Sequence, residues 1–339
     1  MRRRGDLILG VGAALTMLMA WVSLADGVDA GSFARDGAGS RAFGFGGAFV
    51  AVADDVSASL WNPAGLLQLD GVNLLGMYTN KFGLDIAFQY VAATARVQDV
   101  AFGVGIVRSS IDDIPYSGDE GEGYFSEIQS LIEGSVAYDV GTLLDVELEG
   151  TLDLFFGANV KVYTHSILEG RGRGLGVDVS VLAKYAMDWG TIGFGYISLD
   201  TLGTTIQWSG TDHNPTNDVP WVHKLGVSLR ALEGRFVTSA DADLAVGSPE
   251  LNRFHLGAEY WPIAQLAGRA GLVLSQGDVR WTVGGSIRWL GFALDYAYVP
   301  HSALGASHVL SLSYGIPAWW EEDEMEGDVE VVVDDESGG

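Results

Sequence analysis

The 339-residue chain contains no cysteine. That absence removes disulfide frameworks, thiolate zinc sites, cysteine nucleophiles and a lipid-modified N-terminal cysteine together. Basic side chains are also scarce, 19 Lys and Arg against 44 Asp and Glu, for a net charge of −25. A chain this acidic lacks the clustered cations that phosphate contacts need, so no nucleic-acid partner is expected. Catalytic signatures are missing too. The six histidines (His165, His213, His223, His255, His301, His308) form no HExxH or i, i+4 pair, and no GxSxG elbow occurs. The expectation is a protein that is not an enzyme, with no cofactor and no metal. What the chain does have is apolar surface: 48% of residues are hydrophobic and 11% aromatic, too many for a disordered polymer.

The N-terminus reads as an address. Three arginines (Arg2, Arg3, Arg4) precede an uncharged apolar run from Leu7 to Leu24, and two small-residue sites follow, at Ser23-Leu24-Ala25 and Val28-Asp29-Ala30. This is the layout of a secretory signal peptide, assigned to residues 1–30. Cleavage after Ala25 leaves a net charge of −27 and cleavage after Ala30 leaves −25, because they remove three bases with one acid and with three acids respectively.

From residue 72 the hydrophobic period is two. Trp281, Val283, Ile287 and Trp289 fall on one side of their segment, with Arg280, Thr282, Ser286 and Arg288 on the other. Phe292, Leu294, Tyr296 and Tyr298 oppose Ala293, Asp295 and Ala297, and Leu310, Leu312, Tyr314 and Ile316 oppose Ser311 and Ser313. Such alternation places one face in an apolar medium and the other in a polar one. Segments of this kind occur near 72–79, 85–97, 100–109, 131–139, 152–165, 174–188, 191–200, 221–230, 235–245, 253–262, 265–275, 280–289, 291–299 and 307–316. Most have the length of a tilted strand crossing a bilayer.

A soluble β-sandwich would show the same period, but two features favour a membrane barrel. Tight connections (98–99, 189–190, 231–234, 263–264, 290) alternate with long ones (110–130, 201–220, 246–252, 300–306), the rhythm of short periplasmic turns and long outer loops. Only 140–151 is too long for its side. Tryptophans fall at expected strand ends, Trp189, Trp261 and Trp289 on the turn side and Trp221 and Trp281 on the loop side, where interfacial girdles sit. The fold expected is therefore all-β: a transmembrane antiparallel β-barrel of about 14 strands over residues 72–316, in the bacterial cell outer membrane, with lipid around it. Its lumen would be salt-bridged, Lys161, Lys184, Lys224, Arg230, Arg280 and Arg288 facing Asp153, Asp178, Asp241, Asp243, Glu259 and Asp295.

The segment ahead of the barrel is the most specific part of the chain. Gly44, Gly46 and Gly47 permit close backbone approach, Ala48 to Ala53 is small and apolar, and Asp54-Asp55 is suited to cap a following helical turn. Asn62-Pro63 then imposes an extended or turned exit before Ala64. A compact glycine-rich segment before a polar-lined barrel is expected to fold inside it, as an N-terminal plug (hatch) over residues 31–71. A nucleotide-binding loop is a poor alternative, since neither GxGxxG nor a phosphate-binding lysine is present.

The run from Gly39-Ser-Arg-Ala-Phe-Gly-Phe-Gly-Gly-Ala-Phe-Val-Ala through Asp54-Asp55 to Trp61-Asn62-Pro63-Ala64-Gly65 resembles the N-terminal signature of PorV/PorQ-type proteins, which are similar to the FadL-like (OMPP1/FadL/TodX) transporters of bacterial outer membranes. The rest of the chain agrees with that group only in strand rhythm and count. The resemblance implies a fourteen-stranded barrel with an N-terminal hatch, and Asn62, Pro63 and Ala64 match the hatch motif. It also implies passage of hydrophobic, long-chain fatty-acid-like small molecules, released to the outer leaflet through a lateral opening. The plug would gate this passage through Gly44, Gly46, Gly47, Asn62, Pro63 and Ala64. The alternative role it implies is a secretion-associated (type IX-like) or structural barrel whose partners are secretion-system proteins.

Three further stretches carry expectations. Residues 317–339 depart from the usual aromatic barrel terminus, and 321–339 hold ten acids and no base, the composition of a disordered, solvated tail. Gly170-Arg-Gly-Arg-Gly-Leu-Gly reads as a flexible outer loop, and the acidic stretch 110–130 as another. With residues 1–30 as the leader, N-terminal sequencing of the exported protein is expected to begin at Gly31. A start at Met1 would mean a retained helix.

Overall fold

The computed structural model describes residues 31–118, 121–141, 151–211 and 213–316, so the expectations for residues 1–30 and 317–339 lie outside the described residues. Among the described residues sixteen strands run in chain order. The first seven are β1 (Val72–Lys81), β2 (Ile86–Val97), β3 (Val100–Gly118), β4 (Gly121–Asp139), β5 (Thr151–Ile167), β6 (Gly170–Met187) and β7 (Gly190–Leu199). A short hairpin, β8 (Thr205–Ser209) and β9 (Thr216–Asp218), leads into β10 (Val222–Ala231) and β11 (Phe236–Ala245). The last five are β12 (Arg253–Ile263), β13 (Leu266–Ser275), β14 (Asp278–Trp289), β15 (Phe292–His301) and β16 (Gly305–Ile316).

Every barrel strand pairs antiparallel with its neighbours. The first strand pairs with the last (Val72↔Ile316 to Asn80↔His308) and β5 with β6, which closes the sheet. Since β8 and β9 hang on β6 rather than continue the ring, the barrel has 14 strands (16 less 2). Closure leaves no free edge at the ends of the sheet. The termini of the barrel and the tight turns share one end, called here the turn end, and the other is the loop end.

The alternation is as the sequence implies. Val91, Phe102, Val104, Val160, Val227, Leu256, Trp281, Leu294 and Leu312 are exposed on the outer face. Their inward neighbours Ala92, Ala101, Asn159, Asp241, His255, Asp295 and Ser311 are buried. An apolar belt running strand after strand around a closed barrel requires an apolar surrounding.

Three differences from the sequence reading have local causes. Residues 110–130 are mostly not a loop: β3 and β4 continue as a hairpin of 19 residues each, with a register shift between Ile111 and Ile114. Gly170 to Gly176 is likewise strand, paired with β5 on one side and, from Arg171 to Gly174, with β8 on the other. Its buried face is made of glycines (Gly170, Gly172, Gly174, Gly176), so no apolar side chain marks it, and composition alone reads it as a loop. Trp261 is not part of an outer girdle. Its ring is 8% exposed, turned inward, and Nε1 donates to Glu259 at 2.9 Å. By contrast Trp189, Trp221, Trp281 and Trp289 are exposed.

Residues 31–69 form short turns: α1 (Ser32–Arg35), α2 (Ser40–Gly44), α3 (Ala58–Trp61) and a 3-10 turn at Pro63–Gln68. They touch strands from every side of the ring. Ser40 meets Ser311 of β16 at 2.7 Å, the Val50 amide donates to Asp241 of β11 at 2.7 Å, and Ser59 donates to Glu133 of β4 at 2.8 Å. Gly31 sits against Val219 and Tyr163 near the loop end, whereas Leu67 accepts from Arg96 near the turn end. The segment therefore crosses the enclosed space from one end to the other.

The wall receives this backbone where it carries no side chain. A Cβ on Gly195 would lie 2.2 Å from the Val50 carbonyl, and one on Gly271 would lie 2.3 Å from the Gly46 amide nitrogen. Gly268, on the same strand as Gly271 but facing outward, would meet nothing within 4 Å. Gly271→Val is thus expected to destabilise the protein by about 1–3 kcal/mol through overpacking. Gly268→Val is expected to stay within about 0.5 kcal/mol. Denaturant titration of the two variants in detergent micelles tests this.

Candidate functional site

Two compartments flank the crossing segment. At the turn end a cavity of about 820 Å³ is lined by charges, among them Arg41, Asp54, Lys184, Arg230 and Arg288. At the loop end a smaller cavity, of about 150 Å³, has an apolar lining of Phe43, Trp61, Val273, Val299 and Val309. It also holds Lys81, Arg253, Arg280 and Asp36.

What separates them is anchored by ion pairs. Arg41 stands alone as a cation within the apolar run 40–53. It lies inside the lumen because its guanidinium is fully met there: Nε donates to Glu259 Oε2 at 2.9 Å and Nη2 to Oε1 at 2.8 Å, while Nη1 reaches Asp54. Such bidentate pairing is the geometry guanidinium favours. Glu259 is shared with Arg269 at 3.1 Å, and Arg269 pairs in turn with Asp295 at 2.9 Å. Asp54 also pairs with Arg230. Burial pushes the Asp54 carboxyl up, but Arg41 and then Arg230 outweigh it and hold it well below the usual carboxylate range. Its neighbour Asp55 is raised, chiefly by burial, and accepts from the Ser57 amide at 2.9 Å ahead of α3.

The six residues singled out from sequence are all in this segment, and they fall into two groups. Gly44, Gly46 and Gly47 lie against β12–β14. Gly46 has φ +72, and a Cβ there would sit 2.9 Å from the Leu256 carbonyl and the Leu272 amide, so only glycine suits the position. Asn62, Pro63 and Ala64 lie across the barrel beside β5 and β6. Asn62 is extended (φ −168, ψ 96), and its side-chain amide donates to Val50 O at 2.9 Å and Val181 O at 3.2 Å. Its Oδ1 accepts from the Ala64 amide at 3.2 Å, which opens the 3-10 turn behind Pro63. Asn62 thus ties two stretches of the segment to each other and to the wall.

Of the expected lumenal ion pairs, Lys161–Asp178 (2.6 Å) and Lys224–Asp243 (3.2 Å) form. Lys184 instead donates to Gln68 at 2.7 Å, and Arg288 lies over the Trp261 ring at 4.0 Å. Sequence reasoning missed Arg41, Arg269 and Glu133. The first was visible as a single charge in a run of small apolar residues. The others sat unremarked at inward positions of strands whose period was already known.

The wall beside the loop-end cavity is incomplete. The β14–β15 ladder runs only from Trp289↔Phe292 to Val283↔Tyr298, seven pairs, whereas β13–β14 and β15–β16 each carry ten and continue to the loop end. Val299, Pro300 and His301 of β15 therefore have no ladder partner on β14, and Pro300 has no amide hydrogen to offer one. Proline belongs at such an edge and not within a paired strand. Outside, the rings of Trp281 and Tyr298 lie 5.6 Å apart across this seam; inside, Arg280, Thr282 and Val299 line the cavity.

No family model and no curated protein matches the chain. Solved structures do match in fold. The Pseudomonas putida toluene transporter TodX aligns with a TM-score of 0.51 at 15% identity, covering 82% of this chain and 96% of that one. The CymD monoaromatic hydrocarbon channel gives 0.51 at 15% identity, covering 83% and 98%. A TodX deletion mutant described as a monoaromatic hydrocarbon channel gives 0.52 at 14%, covering 83% and 99%. At such identities the likeness is one of architecture: a closed, antiparallel barrel.

The ion network makes its own forecast. Glu259→Ala leaves the buried Arg41 and Arg269 without their shared carboxylate. The expected loss is about 3–5 kcal/mol, read from equilibrium unfolding in micelles.

Proposed function

We propose that the protein is a non-catalytic outer-membrane barrel that passes hydrophobic small molecules, long-chain fatty-acid-like, with residues 31–71 as a plug that gates the route. The observation carrying this reading is the loop-end cavity, apolar in its floor, cationic at its rim and adjoining the break in the wall. Lys81 and Arg253 both approach Asp36, at 3.7 and 2.9 Å, and Arg280 lies 3.4 Å from Asp278. Lys81, Arg253 and Arg280 thus set a cationic rim, which suits an anionic head group. Phe43, Trp61, Val273, Val299 and Val309 suit its chain. TodX and CymD, by their descriptions, carry toluene and monoaromatic hydrocarbons. The cationic rim here extends that apolar class to an acid.

In this reading the molecule enters at the loop end and leaves sideways between β14 and β15, where separation breaks no ladder bonds. Release of Asn62 from Val50 and Val181 frees the plug to shift. The other role implied by the resemblance, a secretion-associated barrel with protein partners, is favoured by one feature: the β3–β6 hairpins rise beyond the rest of the wall, with Tyr116 and Tyr124 exposed near the tip.

Uptake into reconstituted vesicles tests the reading. Thr282→Cys with Val299→Cys, in a chain that has no other cysteine, is expected to cut fatty-acid flux at least tenfold when oxidised and to restore it on reduction. Asn62→Ala with Pro63→Ala is expected to raise the flux. Equal flux in every form would remove both the lateral route and the plug as a gate. A stoichiometric protein partner co-purifying with an inert barrel would favour the secretion role.

A further inference from the structure

A second polar centre, away from that cavity, lies where α3 meets the wall at β2–β6. Glu133, Asn159, Lys161, Asp178 and Asp200 all lie inside, each no more than 4% exposed. Lys161 serves both aspartates, at 2.6 Å to Asp178 and 2.8 Å to Asp200, and the Asp200 amide donates to Asp178 at 2.9 Å. Among the described residues Glu133 has no cation in ion-pair contact. Its Oε1 accepts from Ser59 Oγ at 2.8 Å and from Tyr90 at 3.4 Å.

Four oxygens here have no hydrogen-bond partner among the described residues: Glu133 Oε2, Asn159 Oδ1, Ser135 Oγ and Thr94 Oγ1. Their residues are 1%, 1%, 6% and 4% exposed, so solvent does not serve them. The register brings three together. Ser135 stands opposite Asn159, Glu133 precedes Ser135 by two on the same face, and Thr94 joins the row through Gly103. The orientation of each group follows from its other contacts. Asn159 Nδ2 points to β6, donating to Asp178 at 3.1 Å, which turns Oδ1 toward β4. Glu133 Oε1 is held toward β2 and β3, where a Cβ on Gly105 would lie 2.6 Å from it, which leaves Oε2 on the β5 side. Glu133 Oε2 and Asn159 Oδ1 therefore face the same space, with Ser135 Oγ beside them.

We infer that Glu133, Ser135 and Asn159 form a binding site for one small monovalent cation, sodium in size and hardness. Two features select that chemistry. All the open ligands are oxygens, one of them a carboxylate, which disfavours anions and suits a hard cation. Only one carries charge, so a single positive charge balances it, and an uncompensated buried charge is otherwise strongly unfavourable.

The site also reaches the segment. Asn159 Nδ2 donates to the Ser59 carbonyl at 2.7 Å, and Glu133 holds the Ser59 hydroxyl. A cation bound to these two side chains fixes them in the poses that hold α3. It is a ligand that secures the segment at the wall opposite Arg41.

The test uses the full-length protein in micelles, at equal ionic strength in sodium chloride and in choline chloride, since choline is too large for the site. Binding to the folded state alone raises the unfolding midpoint. The expected shift is about 2–4 °C in sodium over choline, and slower amide exchange over residues 58–62. Glu133→Gln is expected to abolish both differences. Should that variant fail to fold, sodium NMR on the unmodified protein decides: saturable line broadening supports the site. Identical midpoints in the two salts, a sodium effect that survives Glu133→Gln, or no broadening would each overturn it.

Discussion

The constraint on which the rest depends is the direct contact between the backbone of residues 44–53 and the inner surface of the barrel. With Val50 O resting where Gly195 has no side chain, and Gly46 N where Gly271 has none, there is no layer of side chains between segment and wall. The segment's amides and carbonyls must then find partners from the wall itself, because buried backbone groups are rarely left unpaired. Asp241 accepts from Val50, Asn62 donates to Val181, and Ser228 donates to Ala51. The inward polarity of β10 and β11 is thus a response to a neighbouring backbone as much as to water.

That contact also explains how the charges are arranged. Ion pairs at a solvated surface contribute little, but those around Arg41 and Glu259 are buried and their partners come from different parts of the chain. They specify position: Arg41 meets Glu259 of the wall and Asp54 of the segment at once. The two ends of the lumen inherit different characters from this division. Charges of both signs gather on the turn side, and apolar side chains meet a cationic rim on the loop side.

Strand period, strand count and the polar lumen were legible because each residue of a barrel wall faces one of two media, and the alternation records which. Where the buried face is glycine, as along Gly170 to Gly176, or both faces are solvated, as at the tips of β3 and β4, the record fades and strand reads as loop. Trp261 shows the opposite limit: an aromatic at a strand end suits the interface, yet its parity, one step from exposed Tyr260, turns it inward. The glycines and Asn62 stood out by their residue types. Their partners did not, since Asp241, Val181 and Leu256 are distant in sequence and only closure of the ring brings them close. The break between β14 and β15 had a sign in Pro300, whose meaning depended on knowing that its neighbours were paired.

The seam between β1 and β16 has a consequence for how the molecule is made. The strand that follows the segment and the last strand of the barrel are partners, so the ring is completed only after the final strand exists. A segment enclosed by that ring, touching strands on every side, cannot be threaded in afterwards past its own ion pairs. The pairing of β1 with β16 is then the contact that shuts the segment in.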